Sequence, residues 1–307
     1  MDAFETFRYP SEFTQPIELK IVLLHHSVAR IQALDANYND TMKHMFPDIY
    51  SHLEKEFSGQ VNLDDYQLMI MHPWQYDHVL HQDYMEELDQ RLMIVSEYSI
   101  PYYAGLSFRT LVPELPNKAP HIKLSTNVHI TGEIRTLSEQ TTHNGPLVTH
   151  ILNDILTKDS TFKQYASTVI DEVAGIHFYN SNDSDEIQTD RSEQLGTLFR
   201  NNFYHSITND VVPVIPSSLV ATYPYNSETP IQTLIQTYQV SKGFQSFEEA
   251  AKTWMNEYSK ALLGLVIPLY SKYGIALEAH LQNSVATFNE DGSLNKLYIR
   301  DFEGLRI

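Results

Sequence analysis

The chain has 307 residues, a formal net charge of −18 and no cysteine. Its length allows two domains or one large one, each with a core, and the absent thiols exclude disulfides, thiolate-held metals and a cysteine nucleophile. The acid excess repels nucleic-acid phosphates, no apolar run nears the ~18 residues of a membrane span, and residues 1–5 lack the basic and apolar segments of a secretory signal. No nucleic-acid or membrane partner is expected, and the cytoplasm is the expected compartment.

In chain order, residues 16–36 and 40–57 place apolar side chains at helical spacing, which predicts helices. Tyr66–Met71 reads as a strand running into His72-Pro73-Trp74-Gln75. Residues 92–95, 103–112 and 121–131 are rich in β-branched and aromatic types and read as strands. Helical patterns return at 147–158 and 160–171, a strand at 176–179 and a polar loop at 181–186. This is an α+β pattern: a mixed, largely antiparallel sheet domain with flanking helices. From about 230 the character changes. Ser246-Phe-Glu-Glu249 is a capping box. Behind it Phe247, Ala251, Trp254, Tyr258, Leu262, Leu265 and Leu269 form one apolar helix face. Pro268 predicts a late kink and Gly274 a C-terminal cap. A strand at 275–278, then 284–288 and 297–300 about an Asn289-Glu-Asp-Gly292 turn, predict a hairpin. The expected domains are 1–230 and 231–307, the second being the start of a helical and hairpin domain.

The hairpin gathers most of the chemistry. Glu278-Ala-His280-Leu-Gln282-Asn283 precedes it and Arg300-Asp301-Phe302 follows it. Mg²⁺ takes oxygen ligands and usually keeps substrate phosphates as partners. Glu278, Asn283 and Asp301 supply such oxygens, and His280 and Gln282 can bond an anion. A small-molecule kinase is one reading, since such enzymes carry a His-x-Asp…Asn loop and an Asp-Phe metal motif. Here Gln282 stands where those enzymes place an Asp base, and no glycine-rich loop precedes it. A hairpin end with satisfied polar groups is the plain alternative. Upstream, Arg109, Lys118, Lys123 and Arg135 cluster in an acidic chain. If Ser107 and Arg109 lie in one strand they share a face. Thr110, Lys123, Thr131 and Arg135 would extend a wall able to hold a polyphosphate or a polycarboxylate; surface salt bridges are the alternative. His72 reads as structural and Trp74 as packing, and no histidine spacing supports a zinc site.

The ordered set His72-Pro-Trp-Gln, Ser107-x-Arg109-Thr110, Lys123-Leu-Ser, Ile130-Thr131-x₃-Arg135-Thr136, Gly145-Pro146, Glu278-Ala-His280-x-Gln282-Asn283 and Arg300-Asp301-Phe302 resembles the NRPS-independent siderophore synthetases. These are the aerobactin, achromobactin and staphyloferrin type. The resemblance implies an ATP- and Mg²⁺-dependent ligase that adenylates a carboxylate of citrate or a related polycarboxylic acid, then condenses it with an amine or alcohol. By position it implies ATP contacts at Ser107, Arg109, Thr110, Lys123, Arg135 and Gln282. Carboxylate contacts fall at Thr131, Arg135 and His280, and Mg²⁺ ligands at Glu278, Asn283 and Asp301. His280, Arg135 and Lys123 are the implied catalytic set. The family's layout of thumb, fingers and palm makes this chain the fingers and the start of the palm. Its Gly-His-Pro-x-His-Pro…Lys-x-Arg-x-Gly stretch has no match, and members continue well past Arg-Asp-Phe. The expectation is therefore a central piece, weakly active or inactive alone, with a non-catalytic nucleotide-binding remnant as a third reading. The family also allows a homodimer.

Overall fold

The structure is a computed structural model that describes residues 15–35, 37–105, 108–114, 119–130, 133–208, 210–223, 227–303 and 305. They divide into two compact units. The first comprises residues up to His150 together with Glu172–Asn202, and the second comprises Ile151–Asp171 together with Phe203 onward. The chain passes between the units after His150, after Asp171 and after Asn202, where the expectation was one division at 230. Residues 211–214 explain the last of these, because they form a strand hydrogen-bonded to the C-terminal hairpin.

The first unit is built on an eight-stranded sheet, with all its pairings antiparallel. Its strands are β1 (Ile17–His25), β2 (Ala29–Ala33), β3 (Tyr66–Met71), β4 (Met93–Ala104), β5 (Thr110–Pro113), β6 (His121–Leu124), β10 (Glu172–Phe178) and β11 (Gly196–Arg200). Their order is β2-β10-β11-β6-β5-β4-β1-β3. The expected helix at 16–36 is instead β1 and β2. Ile17, Leu19 and Ile21 are buried while Glu18 is exposed, which is a period of two, and Val22–Leu24 are then buried on both faces. A short continuous apolar run fits a doubly covered strand as well as a helix. The sheet curls: the buried Thr197 hydroxyl on β11 donates to the Ile70 carbonyl on β3 at 2.6 Å, though the two strands lie far apart in the order.

Helices α1 (Tyr38–Met45) and α2 (Pro47–Glu56) fill the predicted 40–57 segment, broken where Phe46 meets Pro47. Met42, Ile49 and Leu53 enter the core with the strands, and the Tyr38 hydroxyl donates to Leu68 O. Helix α3 (Glu139–Lys158) starts well before the predicted 147 and runs through Pro146. Its first turns lie against β10, where a Cβ on Gly175 would run into the Thr142 backbone. Between β6 and α3, β7 (His129–Ile130) and β8 (Glu133–Ile134) form a two-stranded ribbon. Helix α4 (Asp185–Gln194) follows the predicted polar loop.

In the second unit, β12 (Val211–Val214), β13 (Ser284–Asn289), β14 (Leu294–Ile299) and β9 (Ser167–Val169) form a four-stranded sheet in the order β12-β13-β14-β9. Strand β9 runs parallel to β14. It occupies part of the predicted 160–171 helix, whose remainder is a short 3₁₀ turn at Ser160–Gln164. Helices α5 (Pro230–Lys242) and α6 (Phe247–Tyr273) belong to this unit. Ser246 caps α6 by accepting from Glu249 N at 3.2 Å, and Gly274 ends it at φ 71°. Trp254, Tyr258, Leu265 and Leu269 are buried as expected. Phe247 is exposed and Leu262 half-buried, while Ala250, Ala261 and Gly264 complete the face. Small residues are needed there: a Cβ on Gly264 would enter the Tyr165 ring. The Trp254 indole N–H donates to Gly292 O at 2.9 Å, pinning the hairpin turn to α6. Among the described residues no helix is long and apolar enough to cross a membrane.

Candidate functional site

The cation wall lies in the first unit. Lys123 sits on β6, 2% exposed, with Thr110 of β5 and Leu198 of β11 as its cross-strand partners. An ammonium this deep in a sheet needs hydrogen-bond or charge partners to offset its lost hydration. Arg109 immediately precedes β5. Its carbonyl accepts from Leu124 N at 2.9 Å, and its guanidinium Nη1 donates to the Thr136 carbonyl. Arg109 is therefore tied by backbone to β6 and by side chain to the residue after Arg135. Phe108 and Arg109 form a turn rather than a strand, so the expected alternation of Ser107 with Arg109 does not apply. Ser107, Lys118 and Thr131 lie outside the described residues.

Arg135 is held through its backbone. Its N–H donates to Val128 O at 3.1 Å, and its carbonyl accepts from Thr126 N at 2.9 Å and from the Thr126 hydroxyl at 3.3 Å. Residues 126–128 and 135 thus run side by side, closing the β7–β8 ribbon at its base. Ser125 extends this link, donating to Glu193 O at 2.7 Å and accepting from Leu137 N at 3.1 Å. Arg109, Thr110, Lys123 and Arg135 are accordingly gathered around one end of β5 and β6.

Two further buried polar features lie in this unit, Gln75 beside the wall and an ion pair at the other end of β6, where Arg200 pairs with His121, and the sequence reading gave neither of them a role. Gln75, 1% exposed, donates its amide to Gln194 O and accepts from Asn127 N, both at 2.7 Å. Glu172 and Arg200, 1% and 2% exposed, form an ion pair at 3.0 Å. A Cβ on Gly145 would come within 2.5 Å of the Glu172 carboxylate, so the Gly145-Pro146 step of α3 is shaped to this pair. Gln75 had a place in the ordered motifs; Glu172 and Arg200 had none, although the Gly145-Pro146 step that packs on Glu172 did. Neither partner is near in sequence, so the contact itself was invisible. His72 is fully buried, and its Nδ1 accepts from Trp74 N at 3.1 Å.

The second cluster lies at one end of the β13–β14 hairpin. His280 caps a short turn at Leu281–Asn283, its Nδ1 accepting from Asn283 N at 3.3 Å. The Asn283 side-chain amide donates to Glu278 O at 3.2 Å, which leaves its Oδ1 as an acceptor. Arg300 N donates to Asn283 O at 2.9 Å, and the Arg300 guanidinium donates to Gln282 O at 3.2 Å. The hairpin therefore sets Asn283 across from Arg300, with Asp301 next in the chain. Asp301 adopts φ 73°, a left-handed conformation uncommon outside glycine and most tolerated by Asn and Asp. Residues 275–278 do not form the expected strand; Ala276 makes a single bridge. Glu278, His280 and Gln282 are exposed.

Among the described residues no group of three His, Cys, Asp or Glu side chains could hold a metal alone. The Glu278, Asn283 and Asp301 set is two carboxylates and an amide oxygen. That donor chemistry fits Mg²⁺ in the form it usually takes at phosphate sites, where protein oxygens supply few ligands and phosphate and water the rest.

The profile of the IucA/IucC family matches residues 1–221, and that of the ferric iron reductase FhuF-like transporter matches residues 252–307. A D-ornithine–citrate ligase of Staphylococcus aureus is 64% identical over 307 residues, covering all of this chain and 47% of that protein. Staphyloferrin A synthase of the same organism is 28% identical over 305 residues, covering 99% of this chain and 48% of that protein. The chain thus spans about half the length of the curated relatives it matches. Petrobactin biosynthesis protein AsbB of Bacillus anthracis superposes with TM-score 0.82 at 23% identity, over all of this chain and 50% of its own. ATP-bound aerobactin synthetase IucA of Klebsiella pneumoniae superposes with TM-score 0.82 at 20% identity, over all of this chain and 53% of its own. These two likenesses show a shared α+β fold. The family profile covers well over half of the sequence, and the chain belongs to the IucA/IucC family.

Proposed function

We propose that this chain carries out, as part or whole of a synthetase, the ATP-dependent ligation of a citrate carboxylate to an amine in siderophore biosynthesis. The observation that carries the reading is the 64% identity, over the full chain, with a D-ornithine–citrate ligase. The site chemistry supports it. In the first step a carboxylate oxygen attacks the α-phosphorus of ATP. The bond to the bridging oxygen of the β-phosphate breaks, and pyrophosphate leaves. In the second step the amine attacks the acyl carbon, the bond to the AMP oxygen breaks, and the amine proton passes to solvent. An ionised carboxylate needs no general base, which suits a site with Gln282 in place of an Asp. What the first step needs is fixed positive charge where phosphate charge concentrates.

In this reading Arg109, Thr110, Lys123 and Arg135, with Ser107, bind phosphate oxygens. Gln282 is a further ATP contact. Arg135, Thr131 and His280 bind the citrate carboxylates, and His280, Arg135 and Lys123 are the catalytic set. Glu278, Asn283 and Asp301 would hold Mg²⁺, which neutralises polyphosphate charge when bound. Ornithine is the first amine to test, by analogy with the relative. A cytoplasmic location, where ATP is made, and a homodimeric assembly belong to the same proposal.

The test is to incubate the protein with ATP, Mg²⁺, citrate and an amine series, and to resolve the nucleotides. Citrate-dependent AMP and pyrophosphate are expected, at a low rate for this chain alone. Citrate-dependent ADP would replace adenylation with phosphoryl transfer and restore the kinase reading.

A further inference from the structure

The Gln75 side chain lies three residues after the fully buried His72. Its two polar ends are both used, and both on backbone groups from distant parts of the first unit. The amide N–H₂ donates to Gln194 O at the end of α4, and the amide oxygen accepts from Asn127 N. Asn127 lies within the 126–128 segment that pairs with the Arg135 backbone. A loop N–H with no strand partner would be costly if left buried and unpaired, so the Gln75 oxygen fixes where this segment can sit. The same short turn reaches the other arm of the wall: the His72 ring lies 5.4 Å from the Phe108 ring, next to Arg109. Arg109 in turn donates to Thr136 O. One turn, held at the end of β3, thus lies beneath both arms. The Thr197 bond to Ile70 O fixes β11, which follows Gln194, to that same strand.

We propose that Gln75 is a positioning residue for the carboxylate-binding arm, residues 125–137, setting the placement of Arg135 without touching substrate. This rests on the ligase reading above. Arg135 is shared by both substrates in that reading, but Lys123 and Thr110 are fixed by sheet pairing that does not involve Gln75, so Mg-ATP keeps contacts that citrate lacks and citrate should lose more.

The test compares the 307-residue chain with Gln75→Met, which keeps the volume and removes both hydrogen bonds, and with Gln75→Glu, which keeps the acceptor for Asn127 N. Titration calorimetry with citrate and with Mg-ATP, and hydrogen exchange of the 125–137 peptides, are the readouts. For Gln75→Met the expected result is citrate affinity reduced about tenfold, the size of one lost buried hydrogen bond. Mg-ATP, which shares Arg135 but keeps Lys123 and Thr110, should lose less than citrate does. Exchange should be faster at 125–137, with β1 and β3 unchanged. Gln75→Glu should retain protection at 125–137. Equal losses for citrate and Mg-ATP, or unchanged exchange at 125–137 in Gln75→Met, would overturn the proposal. Should Gln75→Met fold poorly, loss of protection at 125–137 in Gln75→Glu would overturn it as well. Failure of the unsubstituted chain to bind either citrate or Mg-ATP sinks the ligase reading instead, and exchange alone then decides whether Gln75 positions the arm.

Discussion

At the scale of single residues, Asp301 and His177 carry the clearest expectations. Asp301 combines a left-handed backbone with a place beside Asn283. Asn tolerates that conformation as Asp does, so Asp301→Asn should fold normally while removing one charge of the proposed Mg²⁺ set. The expected result is a loss of about 10²–10³ in kcat, the usual scale for removing a group that stabilises developing charge, with Tm unchanged. Asp301→Ala should lose activity and also about 1 kcal/mol of stability from the strained φ. Activity within a few-fold of the unsubstituted protein for Asp301→Asn would remove Asp301 from the metal set. His177 makes a stability prediction instead. It is 4% exposed on β10, with Nδ1 2.7 Å from the Thr142 hydroxyl. Burial, then the charges of His143 and Arg30, lower its pKa to about 4 from an ordinary 6.5. Glu139 lies 3.6 Å from Nε2, too far for a hydrogen bond, so a neutral imidazole is the consistent state. Below pH 6.5 the unfolded chain takes up a proton that the folded chain refuses until about pH 4. Stability from this group is therefore fully present above pH 6.5 and is lost as pH falls to about 4, by at most about 3 kcal/mol. His177→Gln should flatten the urea-midpoint profile between those pH values. An unchanged profile would assign the acid sensitivity elsewhere.

At the scale of elements, the close approach of α3 to β10 is the tightest constraint in the first unit. A Cβ at Gly175 would overlap the Thr142 backbone, which cannot move without shifting the helix. Gly175→Ala should therefore destabilise by about 1–3 kcal/mol, the range for overpacking, read as a lowered urea midpoint with unchanged slope. An Ala variant as stable as the parent would show that α3 is free to move away. This packing also shows what the sequence could and could not disclose. The β13–β14 hairpin was legible because its Asn289-Glu-Asp-Gly292 turn and the motifs at its base are local. Helix α6 was legible from its 3–4 spacing and its Ser246 cap. The start of α3 was not, since Thr141, Thr142, Gly145 and Pro146 are weak helix formers, and what holds them is burial against β10 and β11. Residues 16–36 misled because the run Val22–Leu24 is apolar on both faces of a strand. Site residues followed the same rule. The types at Lys123, Arg135, Asn283 and Asp301 were readable as candidates. The Gln75–Asn127 and Glu172–Gly145 contacts depend on pairings between distant segments that no local pattern encodes.

At the scale of the whole molecule, the dominant fact is the −18 charge, from 39 acidic and 21 basic residues. Such an excess repels itself in the compact state, and the repulsion between exposed carboxylates is screened over about 8 Å at 0.15 M salt. Exposed pairs such as Lys158–Asp154 and Lys252–Glu248 offset little of it, being solvated and worth well under ~1 kcal/mol each. The better-buried pairs, Arg191 with Glu87 and Asp183, and Arg200 with Glu172, are largely shielded from salt. Raising sodium chloride from low to physiological concentration and beyond should therefore stabilise the fold, raising Tm by about 2–4 °C for each kcal/mol of repulsion removed. Chloride is preferable to sulfate, which strengthens apolar burial by a separate route. Binding of Mg-ATP or citrate should move the other way. In the proposed site those anions would meet the Arg109, Lys123 and Arg135 wall, where local attraction is what salt weakens. Opposite salt responses of Tm and of ligand affinity would place an attractive cation site inside a repulsive acidic surface. A Tm that falls with chloride would mean the surface pairs outweigh the excess, and affinity that rises with chloride would mean the wall does not bind the anions.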